Sequence, residues 1–399
     1  MRQLTGTEWF WEIAQAIGLF FIHPLTWVAV VFVIATGWIR VRRERFSFQS
    51  AAYDVLHEWR QLWKGSLLGT VLVSVVLIGL GASFTTAWLA LYGVIALLSL
   101  VLFGQRLASS AYSIGMATFL VLGLAALEIE LPWLGTVDMP SDVALTSVAG
   151  LVGLLLLIEG FWVKRQQHRV TTPMITKGKR GKFIGTHHFA QIGLVPAFLL
   201  LPSGLVQIPI DGWPILTVGE ESFTLICVPF LLGAKQRFQT LLPAAGILLL
   251  GKQIVGVAGL VLVLAIGSFW IPALAIAAVS FALIGRELAT ARVRVADQQK
   301  TPYFTERDRG LLILDTLPDS PAEKMGLEIG EVILKANGVP VKNDQEFYEA
   351  LQHNRTYCKL EVQDVNGELR FAQRALYKGE HHELGIFTVA LGRVRERAS

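Results

Sequence analysis

Two His-Glu pairs, His57-Glu58 and His382-Glu383, come nearest to a hydrolytic motif in this 399-residue chain. A zinc hydrolase of the HExxH type needs a second histidine four positions on, so that two imidazoles share one helical face with Glu as base. Gln61 and Ile386 occupy those positions instead. No GxSxG nucleophile elbow is present. Gly246–Lys252 satisfies the GxxxxGK phosphate-loop spacing, but Gln253 stands where Ser or Thr would ligate magnesium, and its surroundings are apolar. Cys227 and Cys358, the two cysteines, form neither a CxxC pair nor a disulfide framework. The expectation is a protein that is not an enzyme, with no catalytic residue, no metal site and no cofactor.

The elements that would hold such residues explain the shortage of chemistry. Hydrophobic residues make up 53% of the chain and charged residues 17%. A soluble domain carries about a quarter charged residues, so this composition calls for the bilayer as a second solvent. The apolar stretches lie before Arg286, and the remainder has the composition of a soluble domain. With a net charge of +4, nucleic acid is not an expected partner.

A span needs roughly 20 apolar residues. Candidates are Leu25–Ile39, Ser66–Ser83, Ala87–Phe103, Ser110–Leu127, Val143–Val163, Ile192–Ile210, Ile215–Gly233, Ile254–Phe269 and Ile271–Gly285. The last two are short enough to fuse into one helix broken at Pro272, and Leu241–Leu250 is too short to cross alone. Before Pro24, Trp9–Phe21 reads either as an interfacial helix or as the first half of a kinked span. The N-terminus lacks a cleavable-signal pattern and is expected to be retained. Basic loops (Arg40–Arg45, Lys164–Lys182, Lys235 and Arg237, Arg286–Arg294) alternate with acidic ones (Glu128–Asp142, Asp211). The positive-inside rule then places the C-terminal domain in the cytoplasm. The basic loops can also attract anionic lipid, although their topological role suffices. Glu220 and Glu221 read as a solvated rim.

Beyond the polar Asp297–Tyr303 linker, local signals describe a small mixed domain. Leu311–Leu314 is β-prone. Ser320, Pro321 and Glu323 mark a helix start, and Gly326 its end. Val332–Lys335 leads to the Asn337-Gly338 turn. Asn343 or Asp344 caps a helix carrying Phe347, Ala350 and Leu351. Strands Lys359–Gln363 and Leu369–Ala375 meet at Asn366-Gly367, and Leu384–Ala390 is a final strand.

The run GLLILDTLPDSPAEKMGLEIGEVILKANGVPV, Gly310 to Val341, resembles the core of a bacterial PDZ domain. PDZ domains hold a peptide C-terminus on the backbone of an apolar-Gly-apolar loop and add the peptide as a strand to a sheet edge. Leu384-Gly385-Ile386 fits that loop and comes last, which resembles the circularly permuted arrangement. The resemblance implies a groove between Leu384–Val389, including Phe387, and the helix bearing Phe347 and Leu351. Phe347 and Leu351 read equally as core. Gly385 would admit the ligand carboxylate closely, or merely allow a bulge. Lys378, His381 and His382 would favour an anionic ligand, or simply be solvated.

The expected fold is thus an α-helical polytopic membrane domain (1–295, about eight or nine spans), a linker (296–302), a small β-rich, circularly permuted PDZ domain (303–390) and a basic tail (391–399). Three further stretches resemble the MinJ family of division-topology proteins of Bacillus-type bacteria: GLFFIHPL at Gly18–Leu25, HEWRQLWKGSLLGT at His57–Thr70 and FAQRALYKGEHHELGIF at Phe371–Phe387. That resemblance implies a membrane adaptor at septum and poles, with DivIVA-like and MinD-like partners, the latter acting with MinC. Membrane lipid and self-association are further expected contacts. The rival readings are a regulator of a membrane-embedded PDZ protease and a transporter-like protein with a PDZ appendage. Lys252 and Pro196, Pro202, Pro229, Pro243 and Pro272 speak for the transporter.

Overall fold

A computed structural model describes residues 6–48, 50–63, 66–131, 135–167, 171–178, 181–206, 222–299, 301–354, 356–376 and 384–389. Helices α1 (Gly6–Ile22) and α2 (Pro24–Phe48) meet at His23. Pro24 opens the second helix, where its missing N–H is no loss, and Thr26 Oγ1 donates to the Phe20 carbonyl across the break at 2.8 Å. Helices α3 (His57–Trp63), α4 (Ser66–Leu80), α5 (Thr86–Phe103) and α6 (Ser110–Ala126) follow. A two-residue pair of strands, β1 (Glu130–Leu131) and β2 (Gly135–Thr136), then precedes α7 (Asp142–Arg165). Next come β3 (Thr172–Lys177), β4 (Phe183–Val206) and β5 (Phe223–Phe238), then α8 (Pro243–Gly267) and α9 (Ala273–Gln298).

Six helical runs among the described residues are long and apolar enough to cross a membrane: Pro24–Phe48, His57–Leu80, Thr86–Arg106, Asp142–Arg165, Pro243–Gly267 and Ala273–Gln298. Ser110–Ala126 is a shorter apolar helix. The run Leu241–Leu250 and the span Ile254–Phe269 merge into α8, whose Pro243 stands at its first turn. Pro272 begins α9 instead of breaking one long helix, and the two helices pack along each other.

Two expected spans are not helices. The described parts of Ile192–Ile210 and Ile215–Gly233 belong to β4 and β5, which form an antiparallel hairpin from His187↔Phe238 to Pro202↔Phe223. A continuous apolar run cannot be assigned to a buried helix or a strand buried on both faces by periodicity alone. Pro196 and Pro229 decide the matter physically. Inside a helix each would remove a hydrogen bond and clash with the preceding turn; here they lie opposite each other across the hairpin.

The helices enclose this hairpin, with α1 along β5 and α3 and α4 along β4, and they bond outward backbone groups on both of its edges. On the β5 side, the Pro229 carbonyl accepts from Tyr92 Oη at 3.1 Å and that of Leu231 from Ser110 Oγ at 2.5 Å. The Gly233 carbonyl accepts from the Arg286 guanidinium at 3.0 Å. On the β4 side, Phe198 N–H donates to Ser74 Oγ at 2.9 Å, and the Leu200 carbonyl accepts from Phe84 N–H at 3.2 Å. Alternate residues of an antiparallel strand point their backbone groups outward. Pro229 shares the outward parity of Leu231 and Gly233, and Pro196 that of Phe198 and Leu200. Each proline therefore removes an outward N–H that would need a partner. Non-helical backbone in a lipid environment is stable only when buried in protein in this way.

Close helix contacts depend on glycine. A side chain on Gly160 of α7 would meet Val255 of α8, and Gly251 abuts the Gly160 carbonyl and Lys164. Small residues of this kind let helix backbones approach where lipid offers no hydrophobic drive. The GxxxxGK spacing thus has a packing explanation: Gly246 lies against the Phe238 ring, Gly251 against α7, and Lys252 is exposed.

After α9, which extends to Gln298 into the expected linker, the chain forms β6 (Leu311–Thr316), α10 (Pro321–Lys324), β7 (Val332–Ala336), β8 (Val339–Pro340), α11 (Asp344–Gln352), β9 (Tyr357–Gln363), β10 (Leu369–Ala375) and β11 (Ile386–Thr388). The sheet order is β10-β9-β7-β6-β11, with β8 paired to β7. Ser320 Oγ caps α10 by accepting from Glu323 N–H, and Asn343 Oδ1 caps α11 by accepting from Glu346 N–H. Asn337 and Gly338 both adopt positive φ at the β7–β8 turn.

At β6, β7 and β11 this sheet is covered on both faces. Leu311, Ile313, Ile333, Leu360 and Val362 face α11 in the domain's own core. Leu312, Leu314, Val332, Phe387 and Val389 face the helical bundle, where they meet Phe48 and Ile175 together with Phe304 of the connecting segment. The Phe48 and Phe387 ring centroids are 4.7 Å apart. Gly185 N–H donates to the Phe304 carbonyl at 2.8 Å, and Tyr303 N–H to that of Gln239 at 2.9 Å.

Candidate peptide-binding groove

β11 is a terminal strand of its sheet and, among the described residues, is paired only with β6, through Ile386↔Thr316, Phe387↔Asp315 and Thr388↔Ile313. Beside it runs α11. A narrow groove between them is lined by Asp344, Phe347, Tyr348, Leu384, Gly385 and Ile386. Phe347 and Leu384 are buried, Ile386 is half-buried and Tyr348 is exposed. Thr388 Oγ1 donates to Asp344 Oδ1 at 2.7 Å, tying the strand to the helix N-terminus. Burial raises the Asp344 carboxyl above its ordinary pKa, partly offset by that hydrogen bond.

Leu384, Gly385, Ile386 and Phe347 thus come together as expected. Two residues do not join them. Leu351 is fully buried among the domain's core side chains and does not line the groove. Phe387 points to the opposite face of the sheet, against Phe48 of α2, because neighbouring strand residues alternate sides. Lys378, His381 and His382 lie outside the described residues. Sequence reasoning omitted Asp344 and Tyr348 as groove residues, although both stand at the start and one turn along a helix already recognised as capped.

Gly385 has a reason of its own. Its φ is +79°, and an added Cβ would lie 2.4 Å from Ser320 Cβ. Its carbonyl accepts from Leu317 N–H at 2.7 Å, while that of Leu384 accepts from Ala322 N–H at 3.0 Å. The glycine is therefore demanded by the close approach of α10, whatever ligand the strand receives.

The remaining motif residues are also explained by packing. Glu58 pairs with Arg40, which also bonds Glu44 at 3.0 Å, and His57 lies 3.3 Å from Gln61 Nε2. His382-Glu383 lies outside the described residues, as do Glu220 and Glu221. Cys227 and Cys358 are both buried, and burial pushes the Cys358 thiol up to about 12. Sequence reading missed one buried pair: Arg286 Nε donates to Glu159 Oε1 at 2.7 Å between α9 and α7. Glu159 in the apolar Val143–Val163 run was the available signal.

The family model for the PDZ domain matches residues 313–364. The chain is 39% identical over 385 residues to the cell division topological determinant MinJ of Bacillus subtilis (strain 168), covering 96% of each protein. It is 28% identical over 389 residues to a probable cell division topological determinant MinJ of Lacticaseibacillus paracasei, covering 94% of this chain and 96% of that protein. A partial match of 31% over 91 residues relates 22% of the chain to 20% of the serine protease HTRA3 of Rattus norvegicus. The relatives matched along their whole length are named as division determinants and not as enzymes. No solved structure matches the chain.

Proposed function

This chain belongs to the MinJ family of cell division topological determinants, and from that premise we propose that it is a non-catalytic adaptor of the cell membrane, concentrated at septum and poles. Its PDZ domain, over about residues 303–390, faces the cytoplasm because the basic loops lie on that side. Through the groove and the surfaces of the helical bundle it connects a DivIVA-like protein to the MinC–MinD inhibitor. The partner peptide adds as a strand beside β11, with its last side chains between Leu384, Ile386, Phe347 and Tyr348. Confinement to the bilayer raises the effective concentration of such a module, so a weak peptide contact suffices when copies cluster.

One observation carries this reading: β11 is an edge strand of its sheet and α11 runs beside it. The test is a fluorescent full-length fusion in dividing cells, with partner recruitment scored at the septum. Septal enrichment of the wild type is expected, and uniform membrane signal would overturn the adaptor role. A reporter fused after Arg395 is expected to be active only in the cytoplasm; activity outside would overturn the orientation.

A further inference from the structure

A cavity of about 320 Å³ opens at the end of the bundle nearest the PDZ domain, away from the peptide groove. Its lining includes Arg106 from the turn after α5, His188 from β4, Lys235 and Arg237 from β5, and Arg286 and Arg294 from α9. Two carboxylates also line it, and both are committed. Asp297 accepts from the N–H groups of Gln239, Thr240 and Leu241. Glu287 accepts from Tyr112 Oη at 2.8 Å and lies 3.6 Å from Arg106.

The cations are less fully matched. Arg286, buried at the inner wall, is paired with Glu159. Arg237 donates to the Thr176 hydroxyl at 2.6 Å. Lys235, Arg237 and Arg294 have no carboxylate partner among the described residues. Among the described residues, the buried His188 Nε2 has no hydrogen-bond partner. Cations spread merely to set topology would stand on separate loops in water. Here they converge on one concavity with a buried guanidinium in its wall.

We propose that this cavity binds the phosphate of an anionic phospholipid, with Lys235 and Arg294 as its principal cationic contacts. Guanidinium and ammonium groups suit phosphate oxygens through charge-assisted hydrogen bonds. A lipid phosphate is favoured over a free one by what adjoins the cavity. Leu102 and Phe103 are exposed at the end of α5, just before Arg106, and Ile284 is exposed one turn before Glu287 on α9. An acyl chain would lie along these exposed apolar positions, with its headgroup at the cations that follow them.

Native mass spectrometry of the full-length protein in detergent, titrated with phosphatidylglycerol, tests this. The wild type is expected to retain one lipid per protomer, more tightly than phosphatidylcholine. Removing two cations, Lys235→Gln with Arg294→Gln, weakens retention by about thirtyfold, at the usual contribution of a cation near an anionic surface. The charge-keeping pair Lys235→Arg with Arg294→Lys retains the lipid, which separates charge from folding. A control outside the cavity, Lys177→Gln with Lys182→Gln, leaves retention unchanged. Equal retention by the cavity variant, or an equal loss in the control, would overturn the proposal. Displacement of the lipid by millimolar inorganic phosphate would overturn the lipid assignment.

Discussion

The hairpin of β4 and β5 and the sheet ending at β11 face the same difficulty and treat it in opposite ways. A strand at the edge of a sheet carries unpaired N–H and C=O groups. In the hairpin, Tyr92, Ser110 and Arg286 donate to one edge, while Ser74 and the Phe84 backbone serve the other. Prolines at outward positions remove donors that would otherwise need partners. In the PDZ sheet β10 and β11 are both edge strands, and a groove adjoins β11. An edge held by neighbouring helices makes a scaffold. An edge left beside a groove can accept another chain.

The largest effect should come from breaking the seal at Arg286. Its guanidinium serves both the Glu159 carboxylate and the Gly233 carbonyl. Arg286→Leu leaves a buried carboxylate unpaired, and the expected loss is about 3–5 kcal/mol. Adding Glu159→Leu should recover much of it, since the unpaired charge is then gone. Thermal melts in detergent check both, and a single variant that melts like wild type would show that the pair does not hold the bundle together.

Gly385 comes next. Any side chain there meets Ser320 and must hold a positive φ. A β-branched residue in that region is a genuine outlier, and strain of this kind costs of order 1–3 kcal/mol. Gly385→Val is expected to lower the melting temperature and to impair partner recruitment together. Unchanged melting with lost recruitment would assign the glycine to the ligand instead.

The two sheets also differ in how far the sequence described them. Ser320, Pro321, Asn337-Gly338 and Asn343 act within a few residues of themselves, so they marked their caps and turns correctly. The hairpin depends on contacts between distant residues, such as Ser110 with Leu231, and local periodicity cannot register these. Its prolines were visible but were compatible with broken helices. The unbroken apolar run Leu311–Leu314 was a usable sign that both faces of β6 are covered. Phe387 had no comparable sign, because its position depends on which face of the sheet the bundle occupies.

Removing single edge donors should have intermediate effects. Tyr92→Phe and Ser110→Ala each leave a buried carbonyl without its partner, costing about 1–3 kcal/mol. Tyr92→Phe keeps the ring packed against Trp88 and Phe230, so it isolates the hydrogen bond. No change in melting would mean that the carbonyl finds another donor.

Asp315, opposite Phe387 on β6, should act in the reverse sense. Burial pushes its carboxyl up to about 8, and Glu44 of the bundle adds to the rise. An unfolded aspartate titrates near 3.9, at about the usual value. Between these values the folded chain holds a proton that the unfolded chain has released, so stability falls as pH rises through that window. Asp315→Asn should therefore melt higher than wild type at pH 8, with the difference shrinking toward pH 4. A constant difference across that range would remove Asp315 as its source.

The smallest effect on stability, and the sharpest on function, is expected at Tyr348. This residue lines the groove from α11 yet is 38% exposed, so little core packing depends on it. Tyr348→Ala should change stability by no more than about 0.5 kcal/mol, the usual range for surface positions. A peptide strand lying between β11 and α11 would still lose one wall of its pocket, and aromatic residues carry much of the energy of such contacts. Melts and septal recruitment are therefore measured on the same full-length variant, which keeps the bundle against Phe387 and Leu312. Normal melting with lost recruitment identifies the groove as the partner surface. Normal melting with normal recruitment would exclude it, and partner contact would then have to come from the outer surfaces of the bundle.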